Sequence, residues 1–392
     1  MTNDGRFNGY VQSVDFNGDA LITLEEDAVV MEKAGKSLVV PYAEIDGFSV
    51  QDYRLAINAE TYSVLVSQLG RDVGVLYERL WDAYNARTLR AFFVRGAPQF
   101  EAQGEYRYAD DGGRSQGTAK IKLFDNCLCI LPPSSDARRI PLCFMKEPIM
   151  TEYTITMTLD TGENYEVIRL GDRTKRLFEL IQEKMMKIHK NAVTTVKSID
   201  GSLNSRQASD IAWLVPDGAA AQSAALESIA PSFVKASEAR IALSRAADTY
   251  AYFKEICAPG SLYAGIKTGL SETEEEADII WVTAIKEKDG AGTAAVELAL
   301  PEEDSAATYI YKFKGDQASF FKRLNHSMEA ISFRREVISM PYAELKLEQN
   351  ALYAMAVKRT GALRFLRSCF AGRAIHRTLE SWKSSINEWM EL

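Results

Sequence analysis

Leu38-Val39-Val40-Pro41-Tyr42-Ala43-Glu44-Ile45 decides the reading of this chain, because the grammar it opens is written more than once. After it come two β-rich runs, 53–58 and 62–66, then a Leu69-Gly70 turn, an aspartate, and a helical stripe of Leu76, Tyr77, Leu80, Trp81 and Tyr84. The same order returns as Arg139-Ile140-Pro141-Leu142, runs 153–159 and 165–170, Gly171-Asp172, and a stripe of Leu177, Phe178, Ile181, Met185 and Ile188. Upstream, Ala119-Lys120-Ile121-Lys122-Leu123 matches Ala20-Leu21-Ile22-Thr23-Leu24, and Pro141 matches Pro41, so only one residue is inserted between the two marks. The spacing predicts an internal repeat of short strands closed by one amphipathic helix.

Residues 10–16 and 20–24 read as strands joined by an Asn17-Gly18 hairpin turn. Asp72 and Asp172 stand where each closing helix begins and can cap it. Ala119, Ile121 and Leu123 share one strand face, with Lys120 and Lys122 on the other. Cys127 and Cys129 likewise share a face. From 191 to about 232 the composition shifts to small residues, with Asp217-Gly218 and Pro231 as punctuation; Ile211-Ala212-Trp213-Leu214-Val215 is apolar enough to dock on a neighbour. Residues 233–256 read as one helix, ended by Pro259-Gly260. Beyond the acidic run 272–278, strands are expected at 281–286, 293–300 and 309–313, then a helix carrying Phe320, Phe321, Leu324, Met328 and Ile331. Ile338-Ser339-Met340-Pro341-Tyr342-Ala343-Glu344-Leu345 echoes the opening stretch 300 positions later, Tyr353 echoes Tyr53, and a last helix bears Ile375, Leu379, Trp382, Ile386 and Trp389. These marks predict a third copy with an inserted helix, or else a truncated third copy followed by a partial fourth. The expected division is 1–95, 96–190, a linker with helical pieces at 191–278, and 279–392.

Six or seven antiparallel strands followed by one amphipathic helix resemble the pleckstrin-homology-like (PH-like) fold. The resemblance rests on element order, and it implies a mainly β, α+β chain of tandem barrels, each plugged by its C-terminal helix. Members that bind phosphoinositides use basic residues around the first two strands. Here that region carries Asp15, Asp19, Glu25, Glu26 and Asp27 in the first copy, and Asp110-Asp111-Gly112-Gly113-Arg114 followed by Lys120 and Lys122 in the second. The remaining members mostly bind proteins.

The composition fits a globular, cytoplasmic chain: 392 residues, 46% hydrophobic and 26% charged, with no apolar run long enough to span a bilayer and no basic-then-apolar leader. Five irregularly spaced cysteines argue against a disulfide framework and for small core residues. A net charge of −8 disfavours nucleic acid. His189, His326 and His376 fall in helical segments without nucleophile or zinc spacing, and read as solvent-facing or capping groups. Gly35-Lys36-Ser37 lacks the first glycine of a phosphate loop and leads into a strand. Glu272, Glu274, Glu275 and Glu276 lack a calcium-loop glycine. No catalytic residue, metal or cofactor is expected.

One charge feature stands out. Lys358, Arg359, Arg364, Arg367, Arg373 and Arg377, with His376, occupy 351–378 without a single acid, a cation field suited to phosphate, carboxylate or an acidic segment. Lys120, Lys122, Arg138 and Arg139 form a smaller candidate. Either set could instead pair with the protein's own acids. The chain therefore reads first as a non-enzymatic intracellular scaffold or adaptor binding protein partners. An anionic-ligand or membrane-surface module, meeting lipid headgroups or phosphorylated ligands through the C-terminal stretch, is the second reading. An enzyme without a legible motif is the third.

Overall fold

The computed structural model describes residues 5–110, 112–267, 279–299 and 307–391. It is mixed α+β, with large antiparallel sheets, one of them curled into a half-barrel.

The first sheet contains β1 (Arg6–Gln12), β2 (Asn17–Leu24), β3 (Ala28–Lys33), β4 (Lys36–Pro41), β5 (Ile45–Gln51), β6 (Arg54–Ala59) and β7 (Ser63–Ser67), in the order β4-β3-β2-β1-β7-β6-β5. Helix α1 (Asp72–Ala91) follows. The second sheet contains β8 (Phe100–Asp110), β9 (Gly113–Leu123), β10 (Cys127–Leu131), β11 (Arg138–Pro141), β12 (Ile149–Thr151), β13 (Thr154–Thr158) and β14 (Asn164–Ile168), followed by α2 (Arg173–Ile199). Its order, β11-β10-β9-β8-β14-β13-β12, is that of the first sheet. Even the register repeats: Val50 faces Leu55, and 100 positions later Met150 faces Ile155. Strand alternation drives both sheets. In β9, Ala119, Ile121 and Leu123 are buried while Lys120 and Lys122 take the other face. The helix stripes behave alike, burying Leu76, Leu80, Trp81 and Tyr84 on α1 and Leu177, Leu180 and Ile181 on α2.

In chain order a helical layer follows: α3 (Ser205–Leu214), α4 (Ser223–Ile229), α5 (Pro231–Ile241) and α6 (Ala247–Ile256). A capping box from Asn204 and Gln207 starts α3, which buries Ile211 and Ala212 of the apolar run while Trp213 and Leu214 stay exposed. The last sheet is a simple meander of β15 (Ala221–Gln222), β16 (Leu262–Lys267), β17 (Ile279–Lys288), β18 (Ala291–Ala299), β19 (Ala307–Lys314) and β20 (Phe370–Ile375). Helices α7 (Gln317–Ala330), α8 (Glu336–Ser339), α9 (Tyr342–Leu345), α10 (Ala351–Arg359) and α11 (Gly361–Cys369) intervene before β20, and α12 (Leu379–Met390) closes the chain.

Several expectations need correction. The 300-position echo is an echo of letters only: Ile338 lies in α8 and Tyr342–Leu345 in α9, where Pro341 opens a helix rather than ending a strand. Val39 and Val40 stay extended because β3 pairs with them, whereas the later run packs on α11 and β20 without pairing to a strand. Not one helix but five are inserted, and the segment expected to be a linker supplies β15 and β16 to the last sheet. The expected single helix over 233–256 breaks into α5 and α6 around residues 242–246. Neither Asp72 nor Asp172 caps through its side chain. Asp72 is already inside α1, and Asp172 has αR backbone, which turns the carboxylate away from the first-turn amides. His376 and Ile375 lie before the last helix, at the end of β20. The run at 272–278 and Asp111 lie outside the described residues.

The cores tie these parts together. The first sheet and α1 share one continuous core with a face of the last sheet, α7, α10 and α11; the second sheet has its own core against α2. The opposite face of the last sheet packs on α6 and α12, and the second half of α2 packs with α3 to α5. No helix among the described residues is long and apolar enough to cross a membrane.

Candidate functional site

Most of the cations singled out in the sequence are turned toward the protein's own acids and carbonyls. Lys120 reaches Asp82 at 2.6 Å and Glu78 at 3.2 Å on α1, with its ammonium 4.8 Å from the Trp81 ring centre. Lys122 pairs with Glu101 at 3.0 Å, and Arg138 with Asp110 while lying over Tyr108. Arg139 grips Glu329 of α7 with two parallel hydrogen bonds, and both side chains are less than a tenth exposed. In the C-terminal set, Lys358 binds Asp46 at 2.6 Å and Glu60 at 3.0 Å. Arg359 is buried and donates to the Tyr84 hydroxyl. Arg364 donates to the carbonyls of Val357 and Lys358, and Arg367 to those of Val337, Ile338 and Met340. Arg373 and Arg377 alone of the ten are exposed. Arg138, Arg139 and Arg359 do meet in one narrow cleft, but with Asp110, Glu163 and Glu329 lining it too. The expected cation field is thus largely a set of ties between sheets.

The histidines are ties as well. His326 lies 2.6 Å from Asp160 and stacks on Phe144, and His376 lies 2.9 Å from the buried Glu297. Neither is the solvent-facing or capping group expected from its spacing.

A second charged centre, absent from the sequence reading, sits where the second sheet, the helical layer and the last sheet converge. Asp217 pairs with Lys267, beside the Arg139–Glu329 pair and the Cys143 thiol. Cys143, Asp217 and Glu329 each offer a ligand atom, all within 4.8 Å of one another, as a metal site would. Arg139 and Lys267 already match the two carboxylates in charge, so the set holds together without another cation. Burial pushes the Cys143 thiol well up. Burial also raises the Asp217 carboxyl, against the opposing pull of Lys267.

Of this centre, Asp217 and Lys267 line a cavity of about 210 Å³. Its walls are apolar, from Ala192 and Val196 on α2, Phe233 and Ile241 on α5, and Ile266 on β16, with Thr195 and Ser237 among them. Two glycines allow its floor to close. A Cβ on Gly218, whose φ is +82°, would lie 2.6 Å from Lys267, and one on Gly265 would lie 2.4 Å from the Trp281 indole nitrogen. That nitrogen donates to the Gly218 carbonyl at 2.9 Å and fixes the turn.

No family model and no curated protein matches the chain. The signal that could have located this centre was Asp217-Gly218, a turn dipeptide followed by small residues. Lys267 and Glu329 carried none, since each is a single charge in an ordinary strand or helix pattern.

Proposed function

We propose that the chain is a non-enzymatic scaffold or adaptor, built on two PH-like units, that binds protein partners through extended segments laid along a strand edge. The observation that carries this is how the first unit already holds the second. The Phe48 amide on edge strand β5 donates to the Pro133 carbonyl at 3.0 Å, the Ser135 amide donates to the Asp46 carbonyl at 2.7 Å, and the Trp81 indole donates to the Leu131 carbonyl at 3.0 Å. The groove between β5 and α1 thus receives an extended, proline-containing stretch by main-chain hydrogen bonds, a general mode of peptide recognition. The equivalent edge, β12, is exposed at all three residues, with Ile149, Met150 and the adjacent Tyr153 presenting apolar surface. All five cysteines are free thiols, which supports a reducing, cytoplasmic setting.

A photo-crosslinking residue at Met150 tests the reading in cells of the source organism. A discrete adduct with a second protein is expected, lost on Ile149→Asp while the unfolding midpoint stays unchanged. Crosslinking indistinguishable from that of a probe at exposed Val14 would sink it. The anionic-ligand and membrane-surface reading keeps only Arg373 and Arg377 as exposed cations of its set, and predicts salt-sensitive sedimentation with acidic vesicles that Arg373→Glu and Arg377→Glu together abolish.

A further inference from the structure

The cavity at the Asp217–Lys267 pair has no part in strand-edge binding, yet its composition is that of a ligand site: mostly apolar walls, the hydroxyls of Thr195 and Ser237, the Asn191 amide, and one charged pair. An apolar volume of about 150 Å³ already suffices for a benzene-sized guest, so about 210 Å³ admits a short chain or single ring with a head group. Access is open, because the Lys267 and Asp217 side chains keep 17% and 29% of their surface.

The head group's sign follows from the donors. The Lys267 ammonium carries three N–H groups, and Asp217 takes one of them. Asp217, by contrast, is already shared with Lys267, whose ammonium repels an incoming cation at the same carboxylate. An incoming carboxylate meets the remaining lysine donors instead. The hydroxyls of Thr195 and Ser237 offer further donors along the wall.

We infer that this cavity binds a small apolar carboxylate, with its head group on Lys267 and its body against Val196, Phe233 and Ile266. The site is formed jointly by α2, α5 and β16, so the ligand also clamps the helical layer onto the last sheet.

Calorimetry and thermal unfolding of the full chain with hexanoate, hexanol and hexylamine test this. Hexanoate should raise the unfolding midpoint and bind about tenfold more tightly than either other probe, the worth of one charge-assisted hydrogen bond. Lys267→Met should erase the preference for hexanoate over hexanol. Because that change leaves Asp217 without its partner, a second variant, Thr195→Trp, fills the cavity from α2 with the ion pair intact and should abolish binding of all three probes. A preference for hexylamine, hexanoate binding untouched by Thr195→Trp, or no binding of any probe at millimolar concentration would each overturn the inference.

Discussion

Strands β5 and β12 occupy the same edge of two copies of one unit, yet the chain treats them in opposite ways. β5 is covered: Gly47 bridges to Ser134, and Phe48 and Asp46 exchange backbone hydrogen bonds with the Pro133 to Ser135 stretch. At β12, among the described residues, no backbone hydrogen bond reaches the outer side, and the position matching Phe48 is Pro148, which has no amide hydrogen to give. The helices differ in step. α1 offers Trp81, packed against Tyr77 and donating to Leu131, where α2 has Gln182. The chain thus uses one edge as an internal socket and leaves its twin outward with a proline that discourages indiscriminate strand pairing.

The largest expected effect comes from emptying the socket. Trp81→Ala should cost about 3–5 kcal/mol in urea unfolding, whereas Gln182→Ala, its counterpart in the second unit, should stay within about 0.5 kcal/mol. Equal losses would show that the socket does not distinguish the units. Glu329→Ala strands the buried Arg139 and should also cost about 3–5 kcal/mol, read from the same curves. The partly exposed pairs of Lys358 with Asp46 and Glu60 are worth about 1 kcal/mol, so Lys358→Ala gauges how much the shared core alone joins the first sheet to the last. Pro148→Ala returns an amide donor to β12; concentration-dependent self-association by sedimentation velocity is expected, with little change in unfolding midpoint. A strictly monomeric variant would remove the proline's protective role.

The smallest effect is a slope in pH. Asp217 is raised in the folded chain, so between the ordinary carboxylate range and its raised value the folded state holds a proton that the unfolded state has released. Stability should therefore fall as pH rises through that window, and Asp217→Asn should flatten the slope. An unchanged slope in the variant would assign it to other carboxylates.

What could be read from letters was the part governed by alternation and helical stripes. The duplicated sheets, their closing helices and the shared face of Cys127 and Cys129 all follow from periodicity that one strand or helix contains by itself. The last sheet was harder because its neighbours come from far along the chain. β16 pairs with β17 across residues 268–278, and β20 joins β19 only after five helices. Ile338 to Leu345 failed for the same reason: short apolar runs become strands only when a partner strand is present. The basic stretch at 351–378 was visible as charge, but whether Lys358 and Arg359 faced solvent or the first sheet depended on where α10 packed. The centre at Asp217 and Lys267 combines single residues from a turn, a strand and α7, and no local pattern announces such a meeting.

Helix α2 couples two parts of the molecule. Its 27 residues run about 40 Å, with Leu177 and Ile181 sealing the second sheet and Ala192 and Val196 walling the cavity. A fragment ending at residue 190 would cut it between those two tasks. An uninterrupted helix shared in this way makes the second sheet and the helical layer one unit of local unfolding, so amides at both ends of α2 should exchange at a common rate, and whatever occupies the cavity should slow exchange inside the second sheet as well.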